Sequence, residues 1–290
     1  MKEQSGYLSR QKNFKLTFFI ILALFTRATA QINPMTVGAR SWGIANATVA
    51  GVDSYSVYNN VAGLAGNREA SLLSSYDSHY GFEGLSTMGF AAVLPISEDF
   101  SSGFSIQRFG DKLYNELSMG IGVGHRIERF SLGIKINYLQ TAINAPSLAF
   151  SGKAFVVEFG GIARIRSDLS FGAHLYNLTQ SSFSGVYGNR VPTSVRVGLL
   201  YLPLKTVRLS TEIEKNTELP LSLKVGLAYQ VWKKISLRTG LASKPLTHHF
   251  GTGFTHGRFS VDYGAHSNAQ LGWSHHFSLA YSIRELKQKE

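Results

Sequence analysis

The chain contains no cysteine, which excludes a disulfide framework, a thiolate metal site and a cysteine nucleophile. Charge is sparse too: only 16% of residues are Asp, Glu, Lys or Arg, against about 25% in soluble domains, so part of the surface is built to face something other than water. Long apolar runs are missing. The run "LTFFIILALF", Leu16 to Phe25, covers ten residues, whereas a spanning helix needs roughly 20. A chain without such a helix is either soluble or crosses a membrane as a closed barrel.

Catalytic signatures are absent as well. Gly120, Gly122 and Gly124 lie two apart and lack the spacing and following helix of a nucleotide loop, and no GxSxG elbow occurs. Serines and histidines are too dispersed to nominate a Ser/His/acid set, so no catalytic residue is assigned and no enzyme activity is expected. His248, His249 and His256 cluster near a hairpin, and His275 and His276 point to opposite faces of a strand; neither arrangement suits a shared metal ion. No metal or other cofactor is expected. Lys and Arg are scattered singly, which argues against nucleic acid as a partner.

The N-terminus has the form of a secretory leader. Lys2, Arg10, Lys12 and Lys15 precede the apolar run, and "ATA" (Ala28–Ala30) follows it, so a signal peptide of residues 1–30 is expected, cleaved after Ala30 and before Gln31. Its removal takes five basic residues (Lys2, Arg10, Lys12, Lys15, Arg27) and one acid (Glu3), lowering the net charge of +11 by four, to +7.

From Ala70 onward the chain alternates. In "LPLSLKVGLAYQVW", the odd positions Leu219, Leu221, Leu223, Val225, Leu227, Tyr229 and Val231 are large and apolar, while Ser222, Lys224, Gly226, Ala228 and Gln230 intervene. A period of two marks a strand. Segments of this kind, separated by short polar or Gly/Pro/Asn turns, predict about fourteen strands between residues 70 and 283. The non-apolar face is rich in glycine and serine, as in Ser118, Gly120, Gly122 and Gly124, then Ser222 and Gly226, then Ser274 and Ser278. A water-facing β surface would show Thr, Lys, Glu and Arg instead. Small residues suit a crowded interior, with the apolar face turned out to lipid. Trp273 and Tyr281 lie eight residues apart on one face, about 26 Å along a strand, which tilts to roughly 20 Å and approaches the ~25 Å between the aromatic girdles of a membrane barrel.

Turning the apolar face outward sends the charged positions inward: Lys135, Arg196, Arg208, Glu212, Lys224, Arg238 and Asp262, together with Glu116, Glu158, His174 and His276. On the lipid side near mid-bilayer a lysine costs ~2–4 kcal/mol. Basic and acidic residues are nearly balanced on neighbouring strands, so a cross-strand ladder of paired charges (Arg196, Arg208 with Glu212, Lys224, Arg238) is expected to brace a narrow lumen rather than to select solutes.

Residues 34–66, "PMTVGARSWGIANATVAGVDSYSVYNNVAGLAG", break the alternation with small residues and turn formers. Residues 31–69 are therefore expected to form a plug inside the barrel, with Asp53, Asn59, Asn60 and Gly63 as closing contacts, because Asx side chains and glycine stabilise tight turns. Residues 70–283 form the barrel, and "RELKQKE", Arg284 to Glu290, a solvated tail.

The order Gly38-Ala39-Arg40, a small-residue stretch, Asp53, Asn60 and Ala62-Gly63-Leu64 resembles the opening signature of the FadL and PorV/PorQ superfamily of bacterial outer-membrane β-barrels, nearest the PorV/PorQ-like branch; Val61 stands where that family usually has proline. "ISLRTGLAS", "HHFGTGFTHGRFSVDYGAH" and "LGWSHHFSLAYSI" look like its closing strands. The resemblance implies an all-β transmembrane barrel in the outer membrane, embedded in outer-membrane lipid, that passes or binds small hydrophobic solutes. As an alternative it allows an accessory or shuttle protein that binds type IX secretion components. A soluble periplasmic barrel that binds ligand is the third possibility, and it predicts a mature chain that stays in solution without detergent.

Overall fold

The structure is a computed structural model that describes residues 36–145, 148–185 and 190–285. The expected leader, its cleavage point and residues 286–290 of the expected tail lie outside the described residues.

A one-turn helix α1 (Ala39–Trp42) and two 3-10 turns, Ser54–Val57 and Val61–Gly66, precede fourteen strands. These are β1 (Glu69–Ser78), β2 (Ser86–Pro95), β3 (Phe100–Gly110), β4 (Tyr114–Ile127), β5 (Phe130–Ala145), β6 (Leu148–Arg166), β7 (Leu169–Tyr176), β8 (Ser194–Leu204), β9 (Val207–Asn216), β10 (Ser222–Trp232), β11 (Ile235–Ser243), β12 (Leu246–His256), β13 (Phe259–Asn268) and β14 (Gly272–Glu285). Each strand pairs antiparallel with its neighbours in sequence, and β1 also pairs with β14, which closes the sheet into a barrel. Closure removes every sheet edge, so no backbone donor or acceptor of the wall faces a solvent that cannot bond it.

The alternation maps onto the wall as expected. Leu223, Val225, Leu227 and Tyr229 of β10 are exposed on the outside, whereas Ser222 and Gly226 are buried within. Three details differ from the sequence reading. Strand β10 starts at Ser222, after Pro220, which has no N–H to give to a ladder; and its register slips between Gln230 and Trp232, so Trp232 rather than Val231 presents the outward side chain. Strand β14 also runs on through Arg284 to Glu285, beyond the expected end of the barrel.

The two ends of the barrel are unlike. At the end holding the start of β1 and the end of β14, five hairpins turn through two residues each, among them Glu128–Arg129, Lys205–Thr206 and Lys233–Lys234. Glu128 and Gly257 meet the demand of such tight turns with φ of 54° and 58°. The opposite end carries the longer connections 79–85, 177–193 and 217–221 beside the two-residue turn Lys244–Pro245. Tight turns at one end and longer loops at the other are the usual asymmetry of a membrane barrel. Residues 36–67 lie inside. Tyr55, Val57, Val61 and Leu64 of this segment pack with Leu73, Ala91 and Val93 of β1 and β2 into the buried apolar cluster of the molecule. The core thus sits between the N-terminal segment and the inner wall.

Candidate functional site

Inward glycines make room for the segment. A Cβ added to Gly264 would stand 2.7 Å from Ala39 O, one on Gly226 2.7 Å from Ile44 Cβ, and one on Gly172 2.6 Å from Ala50 Cα. On Gly133 it would stand 2.6 Å from Ala62 N, and on Gly124 2.8 Å from Ala65 N. These glycines lie on β13, β10, β7, β5 and β4, so the segment, read from Ala39 to Ala65, circles the inside of the wall against the order of the strands. The glycine face read from the sequence is therefore a seat: backbone meets backbone at distances no side chain would allow.

Polar side chains from the wall then tie the segment down. Glu212, fully buried on β9, accepts from the backbone N–H groups of Thr48 and Val49, both at 2.9 Å. Lys135 Nζ on β5 donates to Val57 O at 2.9 Å and lies 3.7 Å from Glu158 Oε1 on β6. Glu158 accepts from Asn137 Nδ2 at 2.6 Å and pairs with His174 Nε2 at 3.0 Å. Arg196, on β8, donates to Asn59 O and, at 2.9 Å, to His174 Nδ1. An arginine can only donate, so His174 Nδ1 accepts and its proton sits on Nε2, facing Glu158. Lys224 Nζ bridges Glu212 at 3.1 Å and Glu214 at 2.6 Å. Three cations (Lys135, Arg196, Lys224) thus meet three carboxylates (Glu158, Glu212, Glu214), and this group is balanced.

A second group sits nearer the tight-turn end. Asp262 of β13 lies 3.4 Å from Arg40 Nη2 and 2.8 Å from Arg238 Nη1 of β11, the latter without hydrogen-bond alignment, and Asp53 lies 3.9 Å from Arg40 Nη1. Strand β12 intervenes between Arg238 and Asp262, and Gly253 there leaves the space through which they meet. The expected single ladder is therefore divided in two. Its pairing of Arg208 with Glu212 is absent: four residues along a strand is about 13 Å, and Glu212 turns to Lys224 and the segment instead. Arg208 faces Ala228 across the strands and, among the described residues, makes no hydrogen bond or ion pair. Glu116 lies inward on β4, hydrogen-bonded by Tyr114.

Of the expected closing contacts, Asn60 makes the most. Its Nδ2 donates to Val49 O at 2.6 Å and reaches Gly161 O and Ala173 O on β6 and β7, while its Oδ1 caps the turn by accepting from Ala62 N at 3.2 Å. Asn59 Nδ2 donates to Ser41 Oγ at 2.9 Å, linking two turns of the segment. Asp53 caps the first 3-10 turn and pairs weakly with Arg40. Gly63 packs against Ser56 Oγ and Gly51 O, where a side chain has no room.

One cluster escaped the sequence reading. Trp42 stacks on His276 at 4.3 Å and His266 at 4.7 Å between ring centroids, with planes within 10° and 8° of parallel, and His249 and His79 flank it. His276 Nδ1 pairs with Asp77 Oδ1 at 2.8 Å, and His266 Nδ1 with His276 Nε2 at 2.9 Å. His249 Nδ1 bonds Trp42 O at 2.9 Å. Among the described residues, no group of three or more His, Cys, Asp or Glu is arranged to hold a metal ion. The alternation of β12, β13 and β14 sends His249, His266 and His276 inward, and that was the available signal; their meeting at Trp42 was not.

Toward the loop end, the β5–β7 side of the inner wall carries an apolar group among polar neighbours such as Thr141 and Glu116. Leu139, Ala154, Val156 and Tyr176 of β5, β6 and β7 face inward and are buried, as are Phe183 and Val191 of the 177–193 connection. Leu139 stands opposite Ala154 in register, and Asn177 Nδ2 ties the connection down by donating to Val191 O at 2.7 Å.

These features define the class of the protein: a closed, fourteen-stranded antiparallel transmembrane barrel with an apolar exterior and its own N-terminal segment seated in the lumen. No family model matches the sequence, and no curated protein does. Among solved structures the fold is similar to the Pseudomonas putida toluene transporter TodX, with a TM-score of 0.69 at 10% identity over 88% of this chain and 100% of that one. It is also similar to the Ralstonia pickettii toluene transporter TbuX (TM-score 0.64, 11% identity, 88% of this chain and 100% of that one). A Pseudomonas aeruginosa FadL homologue gives a TM-score of 0.64 at 13% identity, covering 86% of this chain and 99% of that chain. At these identities the likeness establishes the fold.

Proposed function

We propose that the protein is an outer-membrane barrel that binds or passes small hydrophobic solutes. The observation that carries this reading is the group of buried apolar side chains Leu139, Val156, Tyr176 and Phe183 at the loop end of the lumen. An apolar molecule inserted among these side chains is withdrawn from water, worth about 25 cal/mol per Å² of surface buried, before it meets the seated segment. The fold shared with two toluene transporters supports the same direction. In this reading residues 31–69 act as the plug, residues 1–30 are removed on export, and the protein carries out no chemical reaction. The outward rows of Leu, Val and Phe would form one continuous apolar surface in water, far larger than a soluble protein carries, which supports membrane residence over the soluble alternative.

Mass spectrometry of solvent extracts from protein purified in detergent tests the proposal. Bound apolar molecules are expected, and Val156→Asp, which places a charge in the lining, is expected to empty the site while the barrel keeps its shift in gel mobility between unboiled and boiled samples. Equal recovery of apolar molecules from that variant would overturn the solute reading. An accessory role in type IX secretion rests on the sequence resemblance alone; crosslinking that recovers secretion components in place of bound solutes would favour it.

A further inference from the structure

The two luminal charge groups differ in their totals. Lys135, Arg196 and Lys224 are equalled in number by Glu158, Glu212 and Glu214. Inside the barrel toward the tight-turn end, Arg40 and Arg238 engage Asp53 and Asp262. Arg208 and Lys205 add two further positive charges, both exposed and, among the described residues, without a hydrogen bond or ion pair. Arg40, Lys205, Arg208, Arg238 and Asp53 all line one cavity of about 270 Å³, whose walls also carry the hydroxyls of Ser210 and Thr206. The Arg40 Nε donor is buried with no partner. Against Asp53 and Asp262, these four cations leave an excess of two positive charges around the cavity, together with donors that suit an anion.

We propose that this cavity is a binding site for a ligand bearing a phosphate monoester or inorganic phosphate. Such a group carries close to two negative charges at neutral pH and three acceptor oxygens, which matches the excess charge and the ring of donors. Arg208 provides a planar fork suited to two phosphate oxygens, and Lys205 a point charge at the mouth. Hairpins on one side extend the field: Lys233, Lys234 and Arg258 occupy the β10–β11 and β12–β13 turns, while Asp168 in the β6–β7 turn on the other side is paired with Arg166, so an approaching anion is drawn to this side of the barrel. The inference does not depend on the solute reading, because the cavity lies at the end opposite the apolar lining.

The test is calorimetric titration of inorganic phosphate into the full chain purified in dodecyl maltoside. One saturable site is expected, weaker at higher salt, with affinity reduced tenfold or more in Arg208→Gln and partly restored in Arg208→Lys. Lys112→Gln, exposed in the β3–β4 connection at the opposite end of the barrel, is expected to keep the wild-type affinity. The shift in gel mobility on boiling verifies that each variant is folded. Repeating the titration in micelles doped with phosphatidic acid separates the two sources of the group: suppression of the phosphate signal assigns the site to a lipid headgroup, and an undiminished signal to a free phosphate. Absence of saturable binding in the wild type, or the same affinity in folded Arg208→Gln, overturns the proposal.

Discussion

Replacing Glu212 by alanine removes the wall's grip on the middle of the luminal segment. The fully buried carboxylate accepts two backbone N–H groups, from the half-buried Thr48 and the buried Val49, each at 2.9 Å. Hydrogen bonds to a charged group contribute about 1.5–3 kcal/mol each, so the lower bound for the pair is roughly 3 kcal/mol. Collateral damage is limited, because Lys224 keeps Glu214 at 2.6 Å and is not left as an orphaned buried charge. A loss of ~3 kcal/mol, at tenfold per 1.4 kcal/mol, raises local opening on the order of 100-fold. Amide hydrogen exchange followed at Thr48 and Val49 in detergent is the direct assay, since exchange of a protected amide tracks local opening. Exchange at these two amides is expected to accelerate by about that factor while amides of β3 stay protected, and Glu212→Gln, which keeps a neutral acceptor, to fall between. Unchanged exchange at Thr48 and Val49 in a folded variant would refute the claim that Glu212 seats the segment. Uniform acceleration around the barrel would show that it holds the wall instead.

Gly172→Leu tests the glycine seat: even its Cβ would stand 2.6 Å from Ala50 Cα, so the barrel is expected to fold with the segment displaced, read out as protease cleavage within residues 36–67 that the wild type resists. Val225→Lys places a charge on the lipid face of β10 and is expected to cost ~2–4 kcal/mol in refolding into bilayers; improved behaviour in detergent-free buffer would contradict the outward orientation. Deleting residues 36–66 is expected to raise single-channel conductance, and a deletion variant that conducts no better than the full-length barrel argues against a plug. His79, in the connection after β1, is held down to about pKa 4 by burial, with Asp77 opposing that shift and His276 adding to it. Its unfolded value is about 6.5, so its contribution is complete above pH 6.5 and is lost as pH falls toward 4. Unfolding midpoints at pH 7.5 and 4.5 should therefore differ less in His79→Gln than in the wild type; an equal difference removes His79 from the acid response.

A good part of this molecule could be read along the chain. The alternation of β10 or β14 announces both the strand and its orientation, because successive side chains on a strand point to opposite faces and each strand states this independently of the others. For the same reason the inward placement of Lys135, Glu212, Lys224 and Asp262 followed from position alone. The break in alternation before residue 69 likewise separated the luminal segment from the wall.

Pairing across the lumen was a different matter. Which inward charges meet depends on the stagger of the closed sheet and on the course of residues 36–67 around its inside, and neither leaves a periodic trace. Hence Arg238 reaches Asp262 over a glycine instead of joining a ladder, Arg208 is left facing a cavity, and Glu212 serves the backbone of Thr48 and Val49. Trp42 meets His249, His266 and His276, each more than two hundred residues away in sequence. A period of two tells a side chain which face it belongs to. Only closure of the barrel around its own N-terminal segment decides what it finds there.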